Sequence, residues 1–294
     1  MRDHMNKSLK VAALQMNSQQ DVEANLNTIK AAISDASNQG AQLVVLPENC
    51  CSMGRQFPTA ERFESLSATL GDYAREHNVH LLAGSLPCPF RPDGVIVPDG
   101  RLRQVSQLFA PDGTPLARYD KIHLFTATVS DAQGSYNEAA TFEPGTQTIV
   151  TAIEANDEVY QLGMMVCFDL RFPALAQRLR QAGAELLSAP SAFTYMTGQA
   201  HWSLLLRARA LDSQCLVIGA AQGGEHHYKE GKSRQTWGHS AITAFDGRVL
   251  DSYESSEIKA EDNKDYALVF ASLDKSAQQQ GREKMPIFQC HRLA

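Results

Sequence analysis

Hydrophobic and polar positions follow two periods along this chain, and those periods recur in the same order twice. Val11-Ala12-Ala13-Leu14 is a continuous apolar run, as expected of a strand buried on both faces. Val22, Leu26, Ile29 and Ile33 then recur at three- and four-residue spacing, which predicts a helix with one apolar face. Gly40 is placed to end that helix in a left-handed conformation. Leu43-Val44-Val45-Leu46 predicts a second strand, residues 61–77 a second helix and residues 79–83 a third strand. Two more strands flank Pro111-Asp112-Gly113-Thr114, a hairpin-turn sequence.

From about residue 160 the order returns, with strand 163–168, a helix after Pro173, strand 185–188, helix 200–211 and strand 215–220. Two strands again flank a turn, Phe245-Asp246-Gly247. Each half reads β-α-β-α-β followed by a hairpin. Two such sheets bury their apolar faces by packing against each other with the helices outside. The expected fold class is therefore α/β, a four-layer αββα sandwich. Residues 1–8 are expected to form a flexible extension, and residues 9–294 a single domain with a C-terminal tail. The Pro- and Gly-rich stretch 87–100 reads as a loop, 254–265 as a charged, solvated connection, and the tail 278–294 as a segment lying across a neighbour or partner subunit.

Composition removes several function classes. In 294 residues, 33 acidic side chains exceed 27 basic ones for a net charge of −6, and no basic stripe interrupts the pattern, so no nucleic-acid partner is expected. No stretch reaches the roughly eighteen uncharged apolar residues of a membrane span. The polar start Met1-Arg2-Asp3-His4 lacks an apolar signal core, so a cytoplasmic location is expected. Cys50, Cys51, Cys88, Cys167, Cys215 and Cys290 form no Cys-x-x-Cys pair and read as free thiols. His226 and His227 are adjacent, not four apart. They read as part of a solvated loop, and no metal is expected.

Three reactive side chains stand where apolar strands run out. Cys167 ends one such strand, just before Phe168-Asp169-Leu170-Arg171-Phe172-Pro173 and the start of a helix. That edge of an α/β sheet is where sharp turns expose side chains beside free backbone N–H groups. Taken alone, Cys167 fits a small buried hydrophobe better. Glu48 follows Leu46-Pro47, either turned to the surface or held at the sheet edge where burial raises a carboxyl pKa. Lys121 closes the first hairpin and, alone, reads as a solvated lysine. Together the three make another proposition, because a thiol needs a base and a developing oxyanion needs a cation or N–H donors. A serine alternative fails: Gly238-His239-Ser240-Ala241-Ile242 lacks the second glycine of a nucleophile elbow.

The segments Leu46-Pro47-Glu48-Asn49, Tyr119-Asp120-Lys121-Ile122-His123-Leu124-Phe125 and Val166-Cys167-Phe168-Asp169-Leu170-Arg171-Phe172-Pro173 are, in combination, similar to the glutamate, lysine and cysteine motifs of the nitrilase superfamily of carbon–nitrogen hydrolases. Asn137-Glu138 before Phe142-Glu143-Pro144-Gly145 resembles the segment that carries the family's supporting glutamate. The resemblance runs from Val11 to about Arg292. It implies a sandwich of the nitrilase type that pairs into homodimers or larger homo-oligomers, needs no cofactor and acts on a small amide. It further implies Cys167 as nucleophile, Glu48 as general base, Lys121 and the Phe168 N–H as oxyanion donors, and Glu138 as the group orienting Lys121.

Arg171 would pair with a substrate carboxylate or form a structural salt bridge, while Thr194, Tyr195 and Thr197 would shape the pocket from a loop. Ser191-Ala192-Phe193, the His201-Trp202 segment and Ala220-Ala221-Gln222-Gly223-Gly224 resemble the branch containing deaminated glutathione amidase. The implied reaction is hydrolysis of a carboxylate-bearing amide to acid and ammonia. Alternatives are an omega-amidase, an N-carbamoyl hydrolase, a nitrilase, a non-catalytic oligomeric scaffold, or a redox protein using Cys50-Cys51. Gln104 stands where the family suggests Asn, and residues 228–236 form a longer loop than expected.

Overall fold

The computed structural model describes residues 8–129, 134–228, 231–259 and 264–292. Its centre is two six-stranded sheets. In the first, β1 (Leu9–Met16), β2 (Leu43–Val45) and β3 (His80–Cys88) run parallel, and β4 (Arg103–Phe109) and β5 (Pro115–Asp120) follow antiparallel. Two short strands, β6 (Thr126–Thr128) and β7 (Ser135–Asn137), then pair as a separate ribbon. The second sheet opens with β8 (Val150–Ala155) antiparallel to β9 (Glu158–Met164). Beside β9 lie β10 (Leu186–Ser188) and β11 (Leu216–Gly219), both parallel to it. A second ribbon, β12 (Gly223–His227) and β13 (Ser233–Trp237), precedes β14 (Ala241–Thr243) and β15 (Val249–Ser252), which complete the second sheet antiparallel. The last strand, β16 (Tyr266–Leu273), crosses back to lie antiparallel along β1.

The repeat read from periodicity is thus a repeat of strand order and direction: β1-β2-β3-β4-β5 corresponds to β9-β10-β11-β14-β15. Alternation within the parallel strands makes the layers. Ala12, Leu14, Val44 and Leu81 pack outward with Leu26, Ile29 and Ile33 of α1 (Val22–Asn38) and Leu70 of α3 (Phe63–His77). Val11, Ala13, Val45 and Leu82 face inward and share a core with Leu162, Met164, Leu186 and Ile218 of the second sheet. That core continues to Leu175 and Leu179 of α4 (Pro173–Gln181) and Trp202 and Leu206 of α5 (Tyr195–Ser213). The arrangement is the expected αββα sandwich. Asp21 starts α1 by accepting hydrogen bonds from the N–H groups of Glu23 and Ala24. Gly40 follows that helix at φ +82°, as its position implied.

Several boundaries differ from expectation. The helix expected over 61–77 is α3, which starts at Phe63 after a short α2 (Gln56–Ala60), while α5 begins five residues earlier than 200. The first turns of the tail lie across a neighbouring part of this chain. In α6 (Lys275–Lys284), Gln278 donates to the Glu185 carbonyl and Arg282 to the Gln214 carbonyl of this same chain, and the short α7 (Ile287–Cys290) follows. The expected extension falls mostly on residues 1–7, and part of the 254–265 connection on 260–263, outside the described residues. Among the described residues no helix is long and apolar enough to cross a membrane.

Candidate active site

Glu48 leaves β2 on a turn pressed against β3. At Gly84 a Cβ would lie 2.0 Å from the Pro47 carbonyl oxygen, so only glycine admits this approach. Gln222, from the second half, donates to the Glu48 carbonyl at 3.0 Å. Asn49 takes a left-handed φ of 56°, and Gln104 holds it by donating to its Oδ1 at 2.9 Å and to Ser85 Oγ at 2.8 Å.

Lys121 directly follows β5, its N–H bonded to the Gln104 carbonyl. Its ammonium is buried and donates to Glu48 Oε1 at 2.8 Å and to Glu138 Oε2 and Oε1 at 2.8 and 3.1 Å. Burial alone would pull its pKa down, but the charges of Glu138 and Glu48 outweigh burial and hold it well above the usual lysine value. Glu138 opens a 3₁₀ turn, Glu138–Ala140, after β7 and accepts the Phe125 N–H at 2.7 Å, which fixes its carboxylate.

Cys167 begins the 3₁₀ turn Cys167–Arg171 at the left-handed φ of 50°, a strained setting for a residue with a Cβ. Its N–H is tied to the Pro190 carbonyl at 2.8 Å, and the residue is 8% exposed. Burial and then the Glu48 charge push the thiol pKa well up. Lys121 and a hydrogen bond from the Ala192 backbone pull it back only in part. Phe168 sits in the first turn, where backbone N–H groups lack partners within the helix.

Asp169 was not singled out from sequence, yet it joins the two halves of the site. Buried, it accepts from Val166 N at 2.8 Å, Tyr119 Oη at 2.7 Å and His123 N at 3.1 Å, and it lies 2.7 Å from His123 Nδ1. The thiol's turn is thereby locked to the loop that follows Lys121. The only advance signal was its place inside the cysteine motif.

Other nominated residues are placed differently. Arg171 lies with its guanidinium over the Phe193 and Phe168 rings and within 3.2 Å of His201 Nδ1. Thr194 is the N-cap of α5 and bonds Thr197, so Thr194, Tyr195 and Thr197 belong to a helix start and not a loop. His226 is not in a solvated loop: it is buried in β12, donating from Nδ1 to the Ser18 carbonyl and accepting from Thr236 Oγ1 at Nε2, each at 2.7 Å. Burial pushes its pKa down to about 4.

A cavity of about 730 Å³ opens beside this centre, lined by Glu138, Asn49, Gln104, Phe125, Tyr136 and Arg234 among others. Cys167, Glu48 and Lys121 do not line it. Glu138 is the member of the constellation that does.

The Carbon-nitrogen hydrolase family model matches residues 10–280. The chain belongs to this family. Among the carbon–nitrogen hydrolases it resembles, deaminated glutathione amidase of Yersinia enterocolitica is 38% identical over 264 residues, covering 87% of each chain. The Synechocystis protein of that name is 35% identical over 286 residues, 96% of this chain and 97% of that one. Human omega-amidase is 32% identical over 286 residues, 96% of this chain and 94% of that one. The Caenorhabditis elegans NitFhit structure is 31% identical with a TM-score of 0.81, covering 97% of this chain and 65% of that one. Saccharomyces cerevisiae Nit3, of branch 10 of the nitrilase superfamily, gives a TM-score of 0.74 at 25% identity over 95% of each chain.

Proposed function

We propose that this carbon–nitrogen hydrolase is an amidase that cleaves a small carboxylate-bearing amide through a thioester on Cys167. The observation that carries the proposal is the buried Lys121 ammonium, 2.8 Å from both Glu48 and Glu138, beside the Cys167 turn. Lys121 is protonated and so cannot serve as the base. Glu48 spends Oε1 on Lys121 and keeps Oε2 for the thiol proton. As Glu48 takes that proton, Sγ attacks the amide carbon and the carbonyl oxygen gains the negative charge.

One ammonium N–H goes to Glu48 and one is shared between the two Glu138 oxygens, at 2.8 and 3.1 Å, which leaves the third for the oxyanion alongside the Phe168 N–H. Collapse of the tetrahedral adduct breaks the C–N bond, with the Glu48 proton moving to the departing nitrogen. Water, deprotonated by Glu48, then hydrolyses the thioester and releases the acid. A primary amide loses ammonia. The internal amide of a deaminated glutathione releases the attached dipeptide, whose amino nitrogen takes the Glu48 proton.

The relatives support two substrates, deaminated glutathione first and the omega-amide of a 2-oxo acid second. The test is release of the acid product from both, from glutamine, from a carbamoyl amino acid and from a nitrile, with Cys167→Ala as control. Fastest release from deaminated glutathione, lost in Cys167→Ala, is expected. Turnover that survives Cys167→Ala would remove the covalent scheme.

A further inference from the structure

We infer that Arg234, on β13, is the residue that recognises the substrate's carboxylate in the cavity beside Cys167. This inference rests on the proposed amidase reading and assigns one part of its specificity. Arg234 lines the 730 Å³ cavity together with Glu138, so its side chain belongs to the space a substrate must enter. Its position relative to the thiol is set by a single residue. Arg234 Nη2 donates to the Ala192 carbonyl at 2.6 Å, and the backbone of the same Ala192 hydrogen-bonds Cys167 Sγ. The charges of Glu48 and Cys167 are in turn felt at Arg234. The guanidinium therefore stands a short carbon chain away from the carbon that Sγ would attack, as an omega-amide of a dicarboxylic acid requires.

The charge balance makes this guanidinium different from the other cations nearby. Lys121 is neutralised by two carboxylates. Arg234 pairs with none among the described residues. Its direct side-chain contacts are neutral, the Tyr136 ring, 5.2 Å from the guanidinium carbon, and the Tyr228 hydroxyl, while the Glu48 charge acts from farther away. Its Nε is buried and has no hydrogen-bond partner. A half-buried guanidinium cannot shed its proton, so holding it without a directly paired counter-ion has a cost that an entering carboxylate relieves. The Tyr136 ring and the Ala192 carbonyl fix the plane of the fork in advance, which suits bidentate capture of a planar carboxylate. Arg171 is set differently: its guanidinium lies over two aromatic rings and against His201.

The experiment titrates glutarate, a dicarboxylate with no scissile bond, into the full-length protein by calorimetry. Arg234→Gln, Arg234→Lys and Arg171→Gln are measured in parallel. Arg234→Gln is expected to weaken glutarate by about 10- to 100-fold and Arg234→Lys by less, since lysine keeps the charge without the fork. In turnover, the preference for a carboxylate-bearing omega-amide over butyramide is expected to fall by a similar factor in Arg234→Gln, mainly through KM. Unchanged glutarate affinity in an Arg234→Gln protein that melts normally would overturn the assignment, as would equal losses on the two amides. Loss of discrimination in Arg171→Gln alone would overturn it too. Should the parent hydrolyse no amide at all, the proposed function falls, and the glutarate titration still decides Arg234.

Discussion

Lys121 sets the electrostatics of the site. Removing its charge leaves Glu48 and Glu138 facing one another with no cation between them, and a buried pair broken on one side typically costs about 3–5 kcal/mol. Lys121→Met is therefore expected to lower the urea midpoint and to slow acylation by about 100- to 1,000-fold. Both are read on one preparation, by denaturation and by single-turnover kinetics. A normal acylation rate would take Lys121 out of oxyanion stabilisation. The direction of the shifts fixes the pH response. The Lys121 pKa is raised, so its charge persists as pH climbs through 9, and the alkaline limb of kcat/KM is expected above the ordinary 10.5. The Cys167 thiol is also raised, so activity is not expected to climb near pH 9 as an isolated thiol ionises.

At this scale motifs exposed Glu48, Lys121, Glu138 and Cys167, because each falls at a strand exit or close after the lysine motif. Asp169, Gln222 and Arg234 act through partners far along the chain, such as Gln222 with Glu48, 174 residues apart. Local pattern carries no information about such pairs.

Among the elements, the β12–β13 ribbon shows where periodicity runs out. Gly223-Gly224-Glu225-His226-His227 has no apolar alternation, so it reads as loop, yet His226 and Thr236 are fully buried and satisfied by each other. Polar residues that pair internally are invisible to a hydrophobic pattern. The consequence is an acid sensitivity built into the ribbon. Burial, with the Arg234 and His227 charges, holds His226 neutral down to about pH 4 against 6.5 for a free histidine. Its contribution to stability is full above about pH 6.5 and is lost as pH falls towards 4, amounting to about 3 kcal/mol.

Chemical denaturation at pH 7 and pH 4.5 is expected to show a drop for the parent that His226→Gln lacks in large part. Asp212, raised to about 6 chiefly by burial against the pull of Arg209, acts with the opposite sign but is present in both proteins and cancels. Equal drops in the two would show that another group is the sensor.

For the whole molecule, the two halves each supply what the other lacks. Glu48, Lys121 and Glu138 come from the first half and Cys167 from the second, and the site exists only because the inner faces of the sheets share one core. The layer order was readable because the parallel strands are apolar on both faces. The return of β16 to β1 was not, since a strand-like run does not say which edge it will join. We propose the homo-oligomer that the family resemblance implies. Met196, Leu204 and Leu211 stand exposed on α5, Leu204 at 67%, as apolar surface that association would cover. Sedimentation equilibrium is expected to give a dimer or larger, and a monomer at micromolar concentration would refute it.

The covalent intermediate is the central claim. Acid-quenched protein, taken within the first turnovers on an omega-amide, is digested and its Cys167 peptide weighed. A gain equal to the acyl group on that peptide, absent from Cys167→Ala, is expected. Product formation with the Cys167 peptide unmodified at every quench time, and undiminished in Cys167→Ala, would contradict it.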